Sequence, residues 1–199
     1  YAIADGADAL VYDTHVSPAH GRFIRQQLAE RGVSNITVLL SHWHLDHVAG
    51  TEAFADCEII ANARTAAHLA ANRDAIESGA LHGPPAISPL ILPTRSFDTS
   101  LSLQVGRRKL EIFATDIHSD DASLVFMPDT GMLLAGDALE DSITYVVEPL
   151  AFARHLDNLD KLWRLAPLRI LPNHGDPDII AIGGYERTLV RATQQYIRM

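Results

Sequence analysis

The sequence predicts a mixed α/β fold, in which a sheet of mixed strand direction is flanked by helices. Three observations favour this class: strand-like and helix-like segments alternate early in the chain, hairpin-like strand pairs follow, and amphipathic helices come near the end. With 199 residues, of which 47% are hydrophobic and 21% charged, the chain has the size and composition of one soluble globular domain. We therefore expect a single domain over residues 1–199.

The first half of the chain predicts a hairpin, a capped helix, two further strands and a second helix. Ser17 and Pro18 are typical of a helix start, because serine caps free backbone amides and proline fits the first turn. Gly32 marks the predicted end of that helix. Apolar runs bounded by turn residues predict strands at 1–4, 9–14, 36–40 and 57–61. An alanine-rich segment predicts a helix over 64–77.

The second half predicts hairpins, followed by two helices with a strand between them. Alternating or apolar runs predict strands at 101–105, 110–113, 123–127, 132–135 and 169–171. The amphipathic pattern of 151–166 predicts a helix, and a closing helix is predicted over 180–199. Proline and glycine predict a long loop at 78–95, and we expect this loop and segment 138–150 to form the walls of a pocket.

Composition and charge exclude several classes of partner. A formal net charge of −9 argues against a nucleic-acid surface, which would need a basic stripe. No apolar stretch approaches the roughly 20 residues that cross a membrane, so no membrane contact is expected. Cys57 is the only cysteine, which rules out an intrachain disulfide and favours a cytoplasmic location. Because Tyr1 opens a strand-like segment without a methionine, we expect the N-terminus to be trimmed.

A cluster of histidines follows the predicted strand 36–40. The run from Ser41 to His47 holds His42, His44, Asp46 and His47. Histidine is the commonest metal ligand, and two histidines two residues apart point the same way in an extended segment. Core packing does not account for such a cluster, because buried imidazoles and carboxylates need partners. The run therefore predicts a metal site.

Three further candidate ligands each stand in a loop just after a predicted strand. They are His118, Asp137 and His174. Alone, each is better explained as a polar residue that opens a loop. Together, because each follows its own strand in a position where functional side chains concentrate, they indicate a common site. His68 and His155 fall instead in predicted helices, where surface or half-buried positions are expected.

These motifs resemble the metallo-β-lactamase-fold hydrolase superfamily. The run His42-Trp43-His44-Leu45-Asp46-His47 matches the H-x-H-x-D-H motif of that family, and the later histidines and aspartate follow in the family's order. Asp13 matches the family's early strand aspartate, so the match extends over residues 10–175. The resemblance implies a four-layer αββα sandwich, with the site at one edge of the two sheets.

The resemblance also implies a ligand set for two metal ions. It places His42, His44 and His118 on the first ion, with Asp46, His47 and His174 on the second and Asp137 bridging both. Zinc is the expected metal, and iron or manganese is compatible with the same ligands. Two such ions can share a hydroxide that attacks a carbonyl. Asp46 is also a candidate catalytic residue that orients or deprotonates this water, and Asp13 would fix the ligand loop by hydrogen bonding.

The resemblance does not select one branch of the superfamily. No cysteine lies near Asp137, which disfavours the lactamases with a cysteine ligand, and Glu140 stands where lactonase-like members have tyrosine. About 25 residues follow His174, too few for the glutathione-gripping region of glyoxalase-like members. A basic substrate arm, as in nuclease members, is absent from the sequence. We expect a hydrolase that cleaves an ester, thioester, lactone or lactam bond of a small molecule.

Two other functions remain open at this stage. Sulfur dioxygenases of the same superfamily resemble the chain at His42, His44, His118 and Asp137 but use one iron ion. A non-catalytic metal-binding module is the other alternative, although no ligand of the set is missing. The sequence assigns neither the substrate nor the oligomeric state.

Overall fold

A computed structural model describes residues 1–81, 86–141 and 149–199. Within these ranges, two sheets of five strands carry the fold. The strands of the first sheet, in spatial order, are β1 (Ala2–Asp5), β2 (Asp8–Tyr12), β3 (Asn35–Leu39), β4 (Glu58–Asn62) and β5 (Arg95–Phe97). The strands of the second sheet are β6 (Ser100–Val105), β7 (Arg108–Ala114), β8 (Ser123–Met127), β9 (Met132–Gly136) and β10 (Arg169–Pro172).

Six α-helices accompany the sheets in the described part of the chain. They are α1 (Pro18–Ala29), α2 (Leu45–Val48), α3 (Ala63–Glu77), α4 (Phe152–Leu165), α5 (Pro177–Ala181) and α6 (Thr188–Ile197). The expectation of a mixed α/β fold is therefore confirmed. Within the described ranges, no helix combines the length and hydrophobicity that a membrane crossing requires.

The chain divides into two compact units. The first comprises Tyr1–Asp98 with Gln104–Arg108, and the second comprises Thr99–Leu103 with Lys109–Met199. That residues 1–199 act as a single domain stays a prediction. Residues 82–85 of one expected pocket wall and 142–148 of the other lie outside the described residues.

In the first unit, three parallel pairings bring strand ends to the same edge of the sheet. β1 and β2 form the expected antiparallel hairpin, and β2, β3, β4 and β5 pair in parallel. Ser17 caps α1 by accepting a hydrogen bond from the His20 amide, and Pro18 is the first helical residue, as the sequence predicts. Helices α1 and α3 contribute Leu28 and Leu69 to a core that includes Phe54.

In the second unit, β9 lies between an antiparallel and a parallel neighbour. β8 pairs with β9 as a hairpin, whereas β10 runs parallel to β9 with Ile170 opposite Leu133. Because β9 and β10 are parallel and adjacent, the loops that follow them leave the same edge of the sheet. Helices α4 and α6 cover the core with Leu159, Leu162 and Val190.

The prediction of one closing helix over 180–199 is wrong. Gly183 and Gly184 have φ angles of +109° and +87°, which a right-handed helix does not accommodate. The chain therefore ends α5, forms an isolated bridge between Tyr185 and Ile170, and begins α6 only at Thr188. Hydrophobic periodicity alone does not detect this interruption, because Ile182, Tyr185 and Leu189 keep a helical spacing across it.

Candidate metal centre

In the first unit, Asp13 connects the end of β2 with the histidine run. Its Oδ1 accepts the backbone N–H of Ser41 at 2.6 Å, and its Oδ2 lies 3.0 Å from Nδ1 of His47. The side chain is buried, and its backbone occupies the left-handed region with φ of +65°. A carboxylate on Nδ1 leaves Nε2 of the same ring for a metal ion. The expectation that Asp13 fixes the ligand loop by hydrogen bonding is confirmed.

The candidate ligands of the first unit lie close to one another. The ring of His42 is centred 4.4 Å from that of His44 and 4.2 Å from that of His47. Asp46 Oδ2 lies 3.2 Å from Nε2 of His47. His42 and His47 are buried, whereas the Asp46 side chain is 43% exposed. The run thus presents imidazole nitrogens and one solvent-accessible carboxylate within a single turn.

Backbone contacts hold the histidine run against the loop that follows β2. The amide and the hydroxyl of Thr14 both donate to the carbonyl of His47, at 2.8 and 2.9 Å. Gly50 approaches so closely that a Cβ at this position would overlap the carbonyl oxygen of Thr14. Its φ of −91° is ordinary, so the requirement for glycine comes from contact and not from backbone conformation.

We expect Gly50→Ala to destabilise the protein by about 3 kcal/mol, because a backbone carbonyl cannot move aside for the methyl group. Urea unfolding measures the change. Gly6→Ala is the matched control: Gly6 has φ of +64° but open space around a Cβ, so about 1 kcal/mol is expected there. Equal losses for the two variants would contradict the contact explanation.

In the second unit, the candidate ligands surround Asp137, which follows β9. Asp137 Oδ2 lies 3.7 Å from Nε2 of His118 and 3.4 Å from Nε2 of His174. Asp137 and His118 are buried, whereas the side chain of His174 is 51% exposed. His118, like Asp13, has a left-handed backbone, with φ of +71°. The structure thus brings together the three late ligands that the sequence predicts.

These separations fit the donor spacing around a metal ion. Nitrogen and oxygen ligands lie about 2.0–2.1 Å from a tetrahedral zinc ion, which places neighbouring donors about 3.4 Å apart. The distances from Asp137 to His118 and to His174 are near this value. Imidazole nitrogens with carboxylate oxygens also suit iron and manganese. The chain therefore carries histidine and aspartate clusters that could hold a metal ion.

Glu140 is a candidate ligand that the sequence reasoning missed. Its carboxylate lies within 4.8 Å of the ligand atoms of His118 and Asp137, and all three side chains are buried. In the sequence, Glu140 is noted where lactonase-like relatives have tyrosine, but not as a ligand. Its place three residues after Asp137 was the available signal. The burial that makes this carboxylate need a partner is visible only in the structure.

His155 is fully buried, and the expectation of a surface or half-buried residue is wrong. Its Nε2 lies 3.6 Å from Oδ1 of Asp116, whose other oxygen is 2.6 Å from Nε of Arg154. Burial is the main cause that lowers the pKa of His155. Helical periodicity does not reveal that this face of α4 covers Asp116. His68, in contrast, is half-buried as expected.

A family model described as "Metallo-beta-lactamase superfamily" matches residues 1–174. The chain belongs to this superfamily. The resemblance inferred from the His42–His47 motif is therefore confirmed. The lack of a cysteine near Asp137 and the glutamate at position 140 leave the branch within the superfamily unassigned.

Relatives and solved structures agree with this assignment. The "Beta-lactamase-like protein 2 homolog" of Drosophila melanogaster is 24% identical over 188 residues, which is 88% of this chain. The chain spans 58% of that relative's length. A metallo-β-lactamase from Pontibacter korlensis has 17% identity and a TM-score of 0.76, covering 99% of this chain and 85% of its own. A metallo-β-lactamase family protein from Thermus thermophilus has 19% identity and a TM-score of 0.71, covering 100% and 73%.

These structural similarities confirm the fold class. The identities below 20% carry information about the fold and not about the substrate. The two sheets with helices are those of the metallo-β-lactamase fold, as the resemblance implied.

We expect Asp13→Asn to lower metal affinity about 10- to 100-fold, because the amide no longer offers a charged acceptor to His47. Asparagine tolerates a positive φ, so the fold should persist. Competition with a chromogenic zinc chelator measures the affinity. Asp8→Asn, at the opposite end of β2, is the control, since the carboxylate there accepts a hydrogen bond from the exposed side chain of Asn35. Unchanged metal affinity in Asp13→Asn would show that Asp13 does not support metal binding.

Proposed function

We propose that this chain is a metal-dependent hydrolase that cleaves an ester, thioester, lactone or lactam bond in a small molecule. The observation that carries the proposal is the buried carboxylate of Asp137, with imidazole nitrogens at 3.4 and 3.7 Å. Membership of the metallo-β-lactamase superfamily supports it. A buried carboxylate that lies beside imidazole nitrogens is typical of a metal ligand, whereas a loop carboxylate without such a role is solvated.

We further propose the assignment of the ligands to two zinc ions. His42, His44 and His118 would hold one ion, Asp46, His47 and His174 would hold the other, and Asp137 would bind both. This assignment follows the order of the residues in the family motif. Within each unit it is consistent with donor distances between 3.2 and 3.7 Å.

Two divalent ions held by these residues would lower the pKa of a bound water toward neutrality and would polarise the carbonyl that is attacked. The protein's own residues prepare the ligands for this role. Asp13 accepts a hydrogen bond from Nδ1 of His47 and thereby keeps the lone pair of that ring on Nε2. The Ser41 hydroxyl lies 2.9 Å from Nδ1 of His42 and restrains the orientation of that ring.

Asp46 is the proposed proton acceptor. Its carboxylate is the most exposed of the candidate carboxylate ligands, so it can meet a water molecule and exchange a proton with solvent. Its Oδ2 remains tied to His47 at 3.2 Å, which restricts the orientation of the carboxylate. Both properties favour a group that ligates and also transfers a proton.

The test is a substrate panel combined with metal analysis. Zinc-loaded protein is assayed with a chromogenic aryl ester, a thioester, a γ-lactone, a β-lactam and a phosphodiester, and its metal content is measured after purification without added metal. We expect two zinc ions per chain and hydrolysis of at least one carbonyl substrate, with both lost in His42→Ala and kept in His20→Ala. One iron ion with oxygen uptake, or hydrolysis that survives His42→Ala, would overturn the proposal.

A further inference from the structure

Tyr185 lies in the second unit between α5 and α6, and its backbone is fixed to β10. Its amide donates to the carbonyl of Ile170, and the Ile170 amide donates to the carbonyl of Tyr185, each at 2.8 Å. This pair forms the isolated bridge that follows the two glycines. These hydrogen bonds therefore anchor the backbone of Tyr185, and with it the phenol, to the strand that precedes His174.

The hydroxyl of Tyr185 joins the two loops that carry Asp137 and His174. It donates to Oδ2 of Asp141 at 2.7 Å and accepts the amide of Asp176 at 2.7 Å. Asp141 stands four residues after Asp137, and Asp176 stands two residues after His174. One oxygen atom thus connects the loop after β9 with the loop after β10.

A direct contact and a glycine complete this connection. The Asp141 amide donates to the carbonyl of His174 at 3.2 Å. Gly175 leaves room for the phenol, because a Cβ there would come within 3.0 Å of the Tyr185 hydroxyl. Burial, followed by the hydrogen bond to Asp141, raises the pKa of Tyr185, which keeps the hydroxyl protonated as a donor at neutral pH.

We infer that Tyr185 is a positioning residue that sets the distance between Asp137 and His174 and thereby the affinity of the second metal ion. The inference rests on the proposed function. His174 is half exposed, so packing restrains it weakly and its position depends on the loop that carries it. Asp137 and His174 lie 3.4 Å apart, and metal ligands tolerate only small displacements. Tyr185 acts through Asp141 and Asp176.

The first measurement uses Tyr185→Phe, which removes one oxygen atom and keeps the ring. Stepwise zinc affinities are obtained by competition with chelators of graded strength. We expect the affinity for the second ion to fall about 10- to 100-fold and the affinity for the first ion to stay unchanged, because loss of a group that orients a ligand has this effect. Tyr196→Phe, a change at an exposed phenol of α6, should alter neither affinity.

The second measurement needs no metal. Amide hydrogen exchange in the metal-free protein should become faster at Asp141 and Asp176 in Tyr185→Phe, and not in Tyr196→Phe. Asp141→Ala should reproduce the loss of second-ion affinity. The double variant Asp141→Ala with Tyr185→Phe should bind the second ion no more weakly than the weaker single variant, since both changes remove the same hydrogen bond between the Tyr185 hydroxyl and Asp141.

The outcomes separate this inference from the proposed function. If the wild type binds two zinc ions and Tyr185→Phe binds both equally well, the inference is wrong and the proposed function stands. The same holds if exchange becomes faster without a change in affinity, because Tyr185 would then fasten the loops for stability alone. If the wild type binds fewer than two ions, the two-ion form of the proposed function fails, and this role of Tyr185 fails with it.

Discussion

Asp137→Asn is expected to lower kcat by roughly 10³-fold or more and to leave fewer than two metal ions per chain. Asparagine has nearly the shape of aspartate but offers no negative charge to two cations, and the stabilisation that metal ions give a transition state is worth several kcal/mol. Asp137 is buried directly after β9, where bulk solvent has little access to the site of the lost charge. Turnover of the best panel substrate and elemental analysis of the purified variant measure the two effects.

The control for this experiment is Asp157→Asn. Asp157 is exposed on α4, and Asp157→Asn makes the same change of charge outside the proposed ligand set. We expect wild-type turnover and metal content in this variant. Circular dichroism should show that both variants keep the wild-type secondary structure. Full activity of Asp137→Asn, with two ions retained, would remove Asp137 from the ligand set.

Phe54→Ala is expected to destabilise the protein by about 3–5 kcal/mol. The ring is fully buried in the core of the first unit, where it packs near α1, and its removal leaves a cavity that a rigid parallel sheet cannot fill. Gly21 approaches it closely, since a Cβ on Gly21 would lie 3.3 Å from the Phe54 ring. Unfolding in urea, followed by circular dichroism on the metal-free protein, measures the loss.

Phe23→Ala is the matched control for the core. Phe23 is 59% exposed on α1, so the same truncation should change stability by less than about 1 kcal/mol. A similar small loss for Phe54→Ala would mean that the core of the first unit collapses around the missing ring. It would contradict close packing around Phe54.

Nine of the ten strands in the described ranges and the cluster of candidate metal ligands were predictable from the sequence because each depends on a short-range pattern, whereas β5, with three residues, is too short to give one. Apolar runs between turn residues defined the strands, and the crowding of imidazoles between His42 and His47 had no other physical explanation than a ligand set. Candidates in the late loops could be found because His118, Asp137 and His174 each follow such an apolar run. The sequence does not determine the strand order or the pairing of β9 with β10, and the structure supplies both.

The features that escaped prediction depend on contacts between distant segments. The interruption of the closing helix depends on a bridge from Tyr185 to Ile170, and a pair of glycines alone does not specify it. The burial of His155 follows from the way α4 covers Asp116. Glu140 becomes a candidate ligand only when the loop after β9 folds back toward His118. None of these contacts leaves a periodic signal in the sequence.

Because His118 has a left-handed backbone, the residue that gives the highest thermal stability at this position differs from the residue that binds a metal ion. A residue with a side chain in this region costs about 1 kcal/mol relative to glycine, so glycine at this position would relieve backbone strain in the metal-free protein. Because the His118 side chain is buried, glycine there would also leave a cavity, so a library selected for thermal tolerance alone, without zinc, should instead accumulate asparagine, which tolerates this backbone, and lose the proposed ligand. Selection in the presence of zinc should keep histidine, because binding of the ion then offsets the strain.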